Sequence, residues 1–529
     1  MANHGGDILR QLHRAYLPAL NDYNNIFITH TALKNALDGQ SVRTCLQQLF
    51  SDLPVQELDV LVNYVCPREN LCSCGRAWCT GGRIIFASLL QIGEEGLINS
   101  FHSTTNPHIC DTNLLLLEDE RTDEHTPEPV SEIAATGGTH RPEEFANLDP
   151  ATRKLFFHIQ WQMRAPFIEM INGRYTNVDN NAPLPWTKFH YRTVRDVGQL
   201  SRIAEISIDD DHHNLIPRYP LSSGEQDNHG TFALKVFENL SDLDGALAQN
   251  EVEVHQGVPE HPRIVQLLAA FKHRGDFHLL LPWAEGNDLQ KLWSTHPSPS
   301  NITWYSLHWF LKECHGIAES IVEIHTPRAP HPPLLEKLLV HTDIKPENIL
   351  CFNTLPREEE RSYMLKLADF GLSVLVNTDT RLESSKLAHI KTYRPPEHDT
   401  GENLSTKYDI WCLGCLYLEF VTWAMRGWKG VEEFEVARLE MQDSILTEAW
   451  GSVEEDTFFK KIPKRPRIAS GVKPHFVNKY EWSDPRKKSS KSAQTKGLSR
   501  YLLAGFNRTG YRIHYVVKGE VQRVSDPPP

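Results

Sequence analysis

The residues best suited to chemistry lie in two short runs, His341-Thr342-Asp343-Ile344-Lys345-Pro346-Glu347-Asn348 and Asp369-Phe370-Gly371. Together they offer what phosphoryl transfer needs. Moving a γ-phosphoryl group asks little covalent chemistry of a protein; it asks for an oriented hydroxyl, oxygen ligands for a divalent cation and neutralisation of developing charge. Asp343 can orient the attacking hydroxyl and accept its proton, and Lys345 can steady the transferred group. Asn348 and Asp369 supply the hard oxygen ligands that suit Mg²⁺.

These groups work only if secondary structure holds them in place. Leu365-Lys366-Leu367-Ala368 is a short apolar run ahead of Asp369, as expected if that aspartate sits at the end of a strand and Gly371 gives the backbone freedom. Phe232-Ala233-Leu234-Lys235-Val236-Phe237 reads as a second strand carrying a lysine, and Phe277 to Leu281 as a third.

In this order the motifs resemble the eukaryotic protein kinases of the serine/threonine type, over roughly Phe189 onward. The layout, with a helical N-terminal region, is similar to a divergent group common in filamentous fungi. The resemblance implies an α+β, two-lobed fold: a small antiparallel sheet lobe, a helical lobe and a mainly helical N-terminal region. It implies ATP as phosphoryl donor and protein hydroxyls as acceptors. Lys235 then sits on the α- and β-phosphates, with Glu251 as its ion partner and Glu253 as the fallback, and Ala233 lines the nucleotide site. The segment Pro282-Trp283-Ala284 falls at the hinge. Pro282 keeps its carbonyl and lacks an N–H, which fits a hinge position that only accepts, and Ala284 would donate. Leu281 falls at the gatekeeper, Asp288 near the ribose and Leu350 under the adenine. Tyr393-Arg394-Pro395-Pro396-Glu397 resembles the APE segment, and Asp409-Ile410-Trp411-Cys412-Leu413-Gly414 the helix that supports the catalytic loop, with His341 supporting the backbone around Phe370.

Lys345, two residues after Asp343, is the serine/threonine pattern. Thr342 replaces the family's usual arginine, so the cation that would grip a phosphorylated activation loop is missing and phosphorylation of that loop is not required. Three other positions depart from the family. Gly198 is the one glycine left where the pattern GxGxxG is expected, in Asp196-Val197-Gly198-Gln199-Leu200-Ser201, which predicts a weakened phosphate clamp. Ile390 stands where a threonine is usual, leaving Thr392 beside Tyr393 as its substitute. Glu397 needs a buried cation, for which Lys488 and Arg512 are the candidates. A catalytically inactive, kinase-like scaffold is the alternative.

The 529-residue chain carries 55 basic and 68 acidic residues, a net charge of −13 that argues against general nucleic-acid affinity. No apolar run spans a membrane and no secretory leader is evident, so cytoplasm or nucleus is expected. The boundaries read 1–117 for the helical region, 118–148 for an acidic flexible linker, 149–187 for a bridging segment and 188–525 for the kinase domain. Within that domain the small lobe runs to 281, the hinge over 282–286 and the large lobe over 287–525, with a divergent end. Residues 1–117 are a candidate partner surface. Val55-Leu58-Leu61-Val62-Val65 has helical periodicity, and Arg83 to Leu90 looks like a buried helix. The bridge, with Phe156-Phe157-His158-Ile159, looks packed against the small lobe. Mg²⁺ is the expected metal, with Mn²⁺ as a substitute. Cys66, Cys72, Cys74 and Cys79 are separated by five, one and four residues, a poor match to paired zinc ligands, so free thiols are expected there. Cys412 and Cys415 are read as buried. The basic runs at Lys460–Arg467 and Arg486–Lys488 are read as solvated loops, with nuclear import as the alternative.

Overall fold

The computed structural model describes residues 5–20, 26–67, 72, 81–103, 109–111, 142–170, 175–192, 201–215, 230–238, 251–255, 257–296, 304–327, 337–354, 363–377, 392–400, 405–440, 456–463 and 468–472. The chain divides into two compact units. One comprises residues 1–216, 226–240 and 268–281; the other comprises 217–225, 241–267 and 282–529.

The first unit joins a helical bundle to a sheet. Its longer helices are Gly6–Ala15, Gly39–Leu49, Val55–Val65, Arg83–Ile92 and Pro150–Gln162. Local chemistry sets their starts: Asp38 accepts from the amides of Gln40 and Ser41, and Asp149 does the same for Ala151 and Thr152 ahead of Pro150. Arg83–Ile92 is mostly apolar and buried from Arg83 to Leu90. It opens without a cap of its own. Asp111 takes that role from a distance, accepting from the amides of Ile84 and Ile85 at 3.0 and 3.1 Å.

The bridging segment divides between bundle and sheet: Ile168, Leu184 and Trp186 are buried in the core of the main sheet, as expected. Phe156, Ile159 and Met163 are buried in the helical core, so the expected packing of these residues on the small lobe is corrected. Residues Glu143–Ala146, expected inside the linker, form a helical turn whose Phe145 is buried between Phe101 and Phe156 at ring distances of 5.4 and 5.0 Å. Three aromatic rings in contact bury enough apolar surface to recruit this turn into the bundle.

Strands β1 (Leu17–Pro18) and β2 (Ile26–Phe27) form a small pair. The main sheet holds β3 (Thr176–Asn177), β4 (Trp186–Tyr191), β5 (Ser201–Ile208), β6 (Thr231–Phe237), β7 (Ala269–His273) and β8 (Asp276–Pro282) in the order β3-β7-β8-β6-β5-β4. The pairs β4 with β5, β5 with β6 and β7 with β8 are antiparallel; the two-residue β3 adds parallel to β7. Phe232, Leu234 and Val236 alternate into a core shared with Trp186, Ile206 and Phe271. His212, after β5, packs tilted against His30 with ring centres 4.3 Å apart and joins the bundle to the sheet.

In the second unit the helices Leu289–Thr295, Trp304–Ile324 and Lys407–Glu440 surround two antiparallel pairs. The pairs are β9 (Lys337–Val340) with β12 (Val374–Asn377), and β10 (Ile349–Asn353) with β11 (Tyr363–Leu367). A further hairpin joins β13 (Phe459–Pro463) to β14 (Ile468–Val472). The helix Lys407–Glu440 kinks at Gly427, whose φ of 70° a side chain would resist. Leu339, Ile344, Ile349, Leu365, Leu367, Phe370, Tyr408 and Phe420 share one core, so the loops holding Asp343 and Asp369 rest on packed elements. Among the described residues no helix is long and apolar enough to cross a membrane.

Candidate active site

Asp343 sits at the centre of a set of short contacts. Its Oδ2 accepts from the Lys345 ammonium at 2.7 Å and from the Asn348 amide at 2.8 Å, and Asn348 Nδ2 also donates to the Asp343 carbonyl at 2.8 Å. Both donors lie within five residues of the aspartate because the short 3-10 turn Pro346–Asn348 folds the loop back. The amide nitrogen of Asn348 is thereby committed, which fixes the amide's orientation and leaves its oxygen as the acceptor for a cation.

The loop hangs from Asp409, which is fully buried. One of its oxygens accepts from the His341 amide at 2.8 Å and from His325 Nε2 at 2.8 Å; the other accepts from the Thr342 amide at 2.9 Å. Three donors on one buried carboxylate offset much of the cost of burying its charge. The contact also lets Thr342 hold a φ of 65°, a strained value for a β-branched residue.

His341 links the two motifs. Its Nδ1 accepts from the Asp343 amide at 3.3 Å, and its Nε2 donates to the Ala368 carbonyl at 3.0 Å. Its ring packs against Phe370 at 4.9 Å. The Ala368 amide in turn donates to the Asn348 carbonyl at 2.9 Å, which ties the two oxygen donors' backbones together. Asp369 is exposed and holds a φ of 61°. A Cβ at Gly371 would come within 2.9 Å of Glu251 Oε2, so a side chain there would require that buried carboxylate to move.

The nucleotide-site candidates divide between the units. Lys235 and Ala233 lie on β6, facing Ile203 and Glu205 of β5, and Lys235 is buried. Glu251, Pro282, Ala284, Asp288 and Leu350 belong to the other unit. Asp288 caps the helix Leu289–Thr295 by accepting from the Lys291 amide at 2.8 Å, and it bridges to Leu350 on β10. Gly198 and its neighbours lie outside the described residues, as do Ile390, Cys74, Cys79, Lys488 and Arg512.

A model of the protein kinase domain matches residues 222–493, more than half of the chain. The chain belongs to the protein kinase family. It is similar to Aurora kinase B-A of Xenopus laevis, 29% identical over 200 residues, which is 37% of this chain and 48% of that protein. It is also similar to serine/threonine-protein kinase Nek1 of Mus musculus, 24% identical over 202 residues, covering 38% of this chain and 15% of that one. Mitogen-activated protein kinase kinase 1 of Arabidopsis thaliana is 26% identical over 268 residues, or 48% of this chain and 68% of the relative. The chain therefore spans well under half the length of several relatives it matches.

Within the kinase domain, the far end of the activation segment has partners that motif reading missed. The Tyr393 hydroxyl donates to Glu419 at 2.6 Å and the Thr392 hydroxyl to Asp456 at 3.2 Å. Arg438 bridges both carboxylates, at 2.7 Å to Glu419 and 2.7 Å to Asp456. Burial, with Glu419 alongside, pushes the Tyr393 phenol well above its usual pKa. Burial also raises Glu347, against the pull of Lys345. Lys366 on β11 is pushed down to about 8 by burial and by Arg263.

Cys412 and Cys415 are buried on the helix as expected, and burial raises both thiols well above their usual pKa. Cys66 Sγ donates to the Leu37 carbonyl at 3.1 Å, and Cys72 packs against Cys110. Among the described residues no group of three or more His, Cys, Asp or Glu side chains gathers as a metal site.

Proposed function

We propose that this kinase transfers the γ-phosphoryl group of ATP to serine or threonine hydroxyls of protein substrates. The observation that carries the reading is the Asp343 carboxylate, gripped at Oδ2 by Lys345 and Asn348 and leaving Oδ1 for a hydroxyl. Asp343 then orients the acceptor and takes its proton, while Lys345 moves its charge toward the phosphoryl oxygens. The chemistry of the donors suits Mg²⁺, with Mn²⁺ as a substitute. Asn348, with its amide nitrogen committed to Asp343, and the exposed Asp369 would hold the cation, which neutralises charge developing on the phosphates when bound. Lys235, with Glu251 as its ion partner, would position the triphosphate, and Pro282 and Ala284 the adenine. We put the bounds of the kinase domain at 188–525. We assign residues 1–117 to partner recognition and the protein to cytoplasm or nucleus.

The test is phosphate transfer from γ-labelled ATP to basic-protein substrates and to the protein itself, beside Asp343→Asn and Lys235→Met. Incorporation that both substitutions abolish supports the reading. No incorporation, with no thermal shift on adding Mg-ATP, would favour the scaffold alternative suggested by the single glycine at Gly198.

A further inference from the structure

Strand β11 is an edge strand that has been given a partner made largely of side chains. One edge of Tyr363–Leu367 pairs with β10. On the other edge, the groups of residues 363, 365 and 367 point away from β10 and need partners of their own. The Tyr363 carbonyl accepts from Trp309 Nε1 at 2.7 Å, and the Leu365 amide donates to Glu313 Oε2 at 2.8 Å. The Leu365 carbonyl accepts from Arg263 Nη1 at 3.2 Å. The Leu367 amide donates to the Arg263 carbonyl and its own carbonyl accepts from the Val265 amide, both at 2.8 Å. Trp309 and Glu313 are four apart on the helix Trp304–Ile324, so they share a face and stand one above the other along the strand.

Arg263 and Glu313 are the heart of this arrangement. They are a buried ion pair, with a second contact from Nη2 to Oε1 at 3.2 Å, and they occupy the two polar groups of Leu365 between them. The site is built to admit the guanidinium: a Cβ at Gly316 would lie 2.5 Å from Arg263 Nε. A buried pair of this kind adds little stability over apolar packing, but it demands one geometry. That geometry is imposed on a strand that ends two residues before Asp369 and whose exit amide, Ala368, bonds the Asn348 carbonyl.

We infer that Arg263 and Glu313 are positioning residues for the divalent-cation site, fixing the register of β11 so that Asp369 and Asn348 face one ion. The inference rests on the phosphoryl-transfer reading above. Neither residue touches the reacting atoms; both act through the Leu365 and Leu367 backbone.

The test uses the full-length protein and Mn²⁺ as probe, titrated in the presence of a non-hydrolysable ATP analogue and followed by its electron paramagnetic resonance signal. Glu313→Gln and Gly316→Ala are compared with Trp309→Phe, which removes a bond at the far end of the same strand. Hydrogen exchange at the Leu365 and Leu367 amides is read on each sample below its melting temperature. The expected result is Mn²⁺ affinity lowered on the order of 10-fold in Glu313→Gln and Gly316→Ala, as for other groups that orient a metal ligand from behind. Those variants also show faster exchange at both amides, while Trp309→Phe binds Mn²⁺ as the wild type does. Wild-type affinity in Glu313→Gln and Gly316→Ala, or an equal loss in Trp309→Phe, overturns the positioning role and leaves the kinase reading intact. A wild-type protein that takes up neither Mn²⁺ nor nucleotide removes the kinase reading and this inference with it.

Discussion

The Thr342 hydroxyl donates to the Leu372 carbonyl at 2.8 Å, and the Ser373 hydroxyl returns the bond to the His341 carbonyl at 3.2 Å. Two hydroxyls and two carbonyls thus lace the loop holding Asp343 to the residues that follow Gly371. The family's arginine would need a phosphate to do similar work, whereas this latch closes with groups already present. Phosphatase treatment should therefore leave phosphate transfer unchanged. Thr342→Ala combined with Ser373→Ala should lower kcat by up to about 30-fold, since two neutral bonds contribute about 1 kcal/mol each. Thr342→Ser, which keeps the hydroxyl, should retain most activity, and a steady-state comparison of these proteins checks the point.

Asp343→Asn keeps the shape of the loop and removes the proton acceptor. Asn348 and Lys345 both lose a charged partner, but the backbone bonds to Asp409 remain. We expect kcat to fall by roughly 10² to 10⁴, with melting temperature and nucleotide affinity little altered. A fall in nucleotide affinity as large as the fall in kcat would show that the residue acts in binding.

Much of the candidate site was legible because its residues are close in sequence. Asp343, Lys345 and Asn348 fall within one turn, so residue type and spacing together suffice to bring them into contact. Strand β11 and the helix Arg83–Ile92 were legible from apolar runs. The supports were not. Arg263 and Glu313 are 50 residues apart and His325 and Asp409 are 84 apart, and a lone polar residue in an apolar run carries no sign of its partner. Arg263 lay in plain view within His261-Pro262-Arg263-Ile264-Val265, yet only the fold shows that its guanidinium turns inward. Phe156 illustrates another limit: its burial was readable, but the choice between bundle and sheet depended on Phe101 and Phe145.

The contact of His30 with His212 makes stability sensitive to acid. Burial, with His30 alongside, pushes His212 down to about 4, and burial lowers His30 as well. Asp211 opposes both shifts without reversing them. Between pH 6.5 and 4 the unfolded chain binds a proton at His212 that the folded chain refuses, so stability contributed here is present at neutral pH and lost as pH falls through that window. Urea unfolding followed across this range should show the decline. His212→Asn keeps a donor for the Pro166 carbonyl, which His212 Nδ1 faces at 3.2 Å, and should make the decline shallower. An unchanged slope would assign the acid sensitivity to other groups.

Arg438 gathers the last described residues of the activation segment. Its guanidinium packs on the touching Phe434 and Phe458 rings, at 5.2 and 4.7 Å, and carries Glu419 and Asp456, which in turn hold Tyr393 and Thr392. Arg438→Met keeps an apolar chain against the two rings but leaves two carboxylates without their cation, a loss of about 3 to 5 kcal/mol for a buried pair. A lower melting temperature is expected from that alone. The informative part is kinetic: Tyr393 is close enough to the catalytic loop for Glu347 to act on its phenol, and the nucleotide candidates lie elsewhere in sequence. KM for a protein substrate should therefore rise in Arg438→Met while KM for ATP stays near the wild-type value. Thr392→Val removes one hydroxyl without exposing a charge, and should shift the same constant in the same direction with little change in melting temperature. Equal rises in both KM values would mean that the cluster supports the whole lobe and has no particular hold on the acceptor.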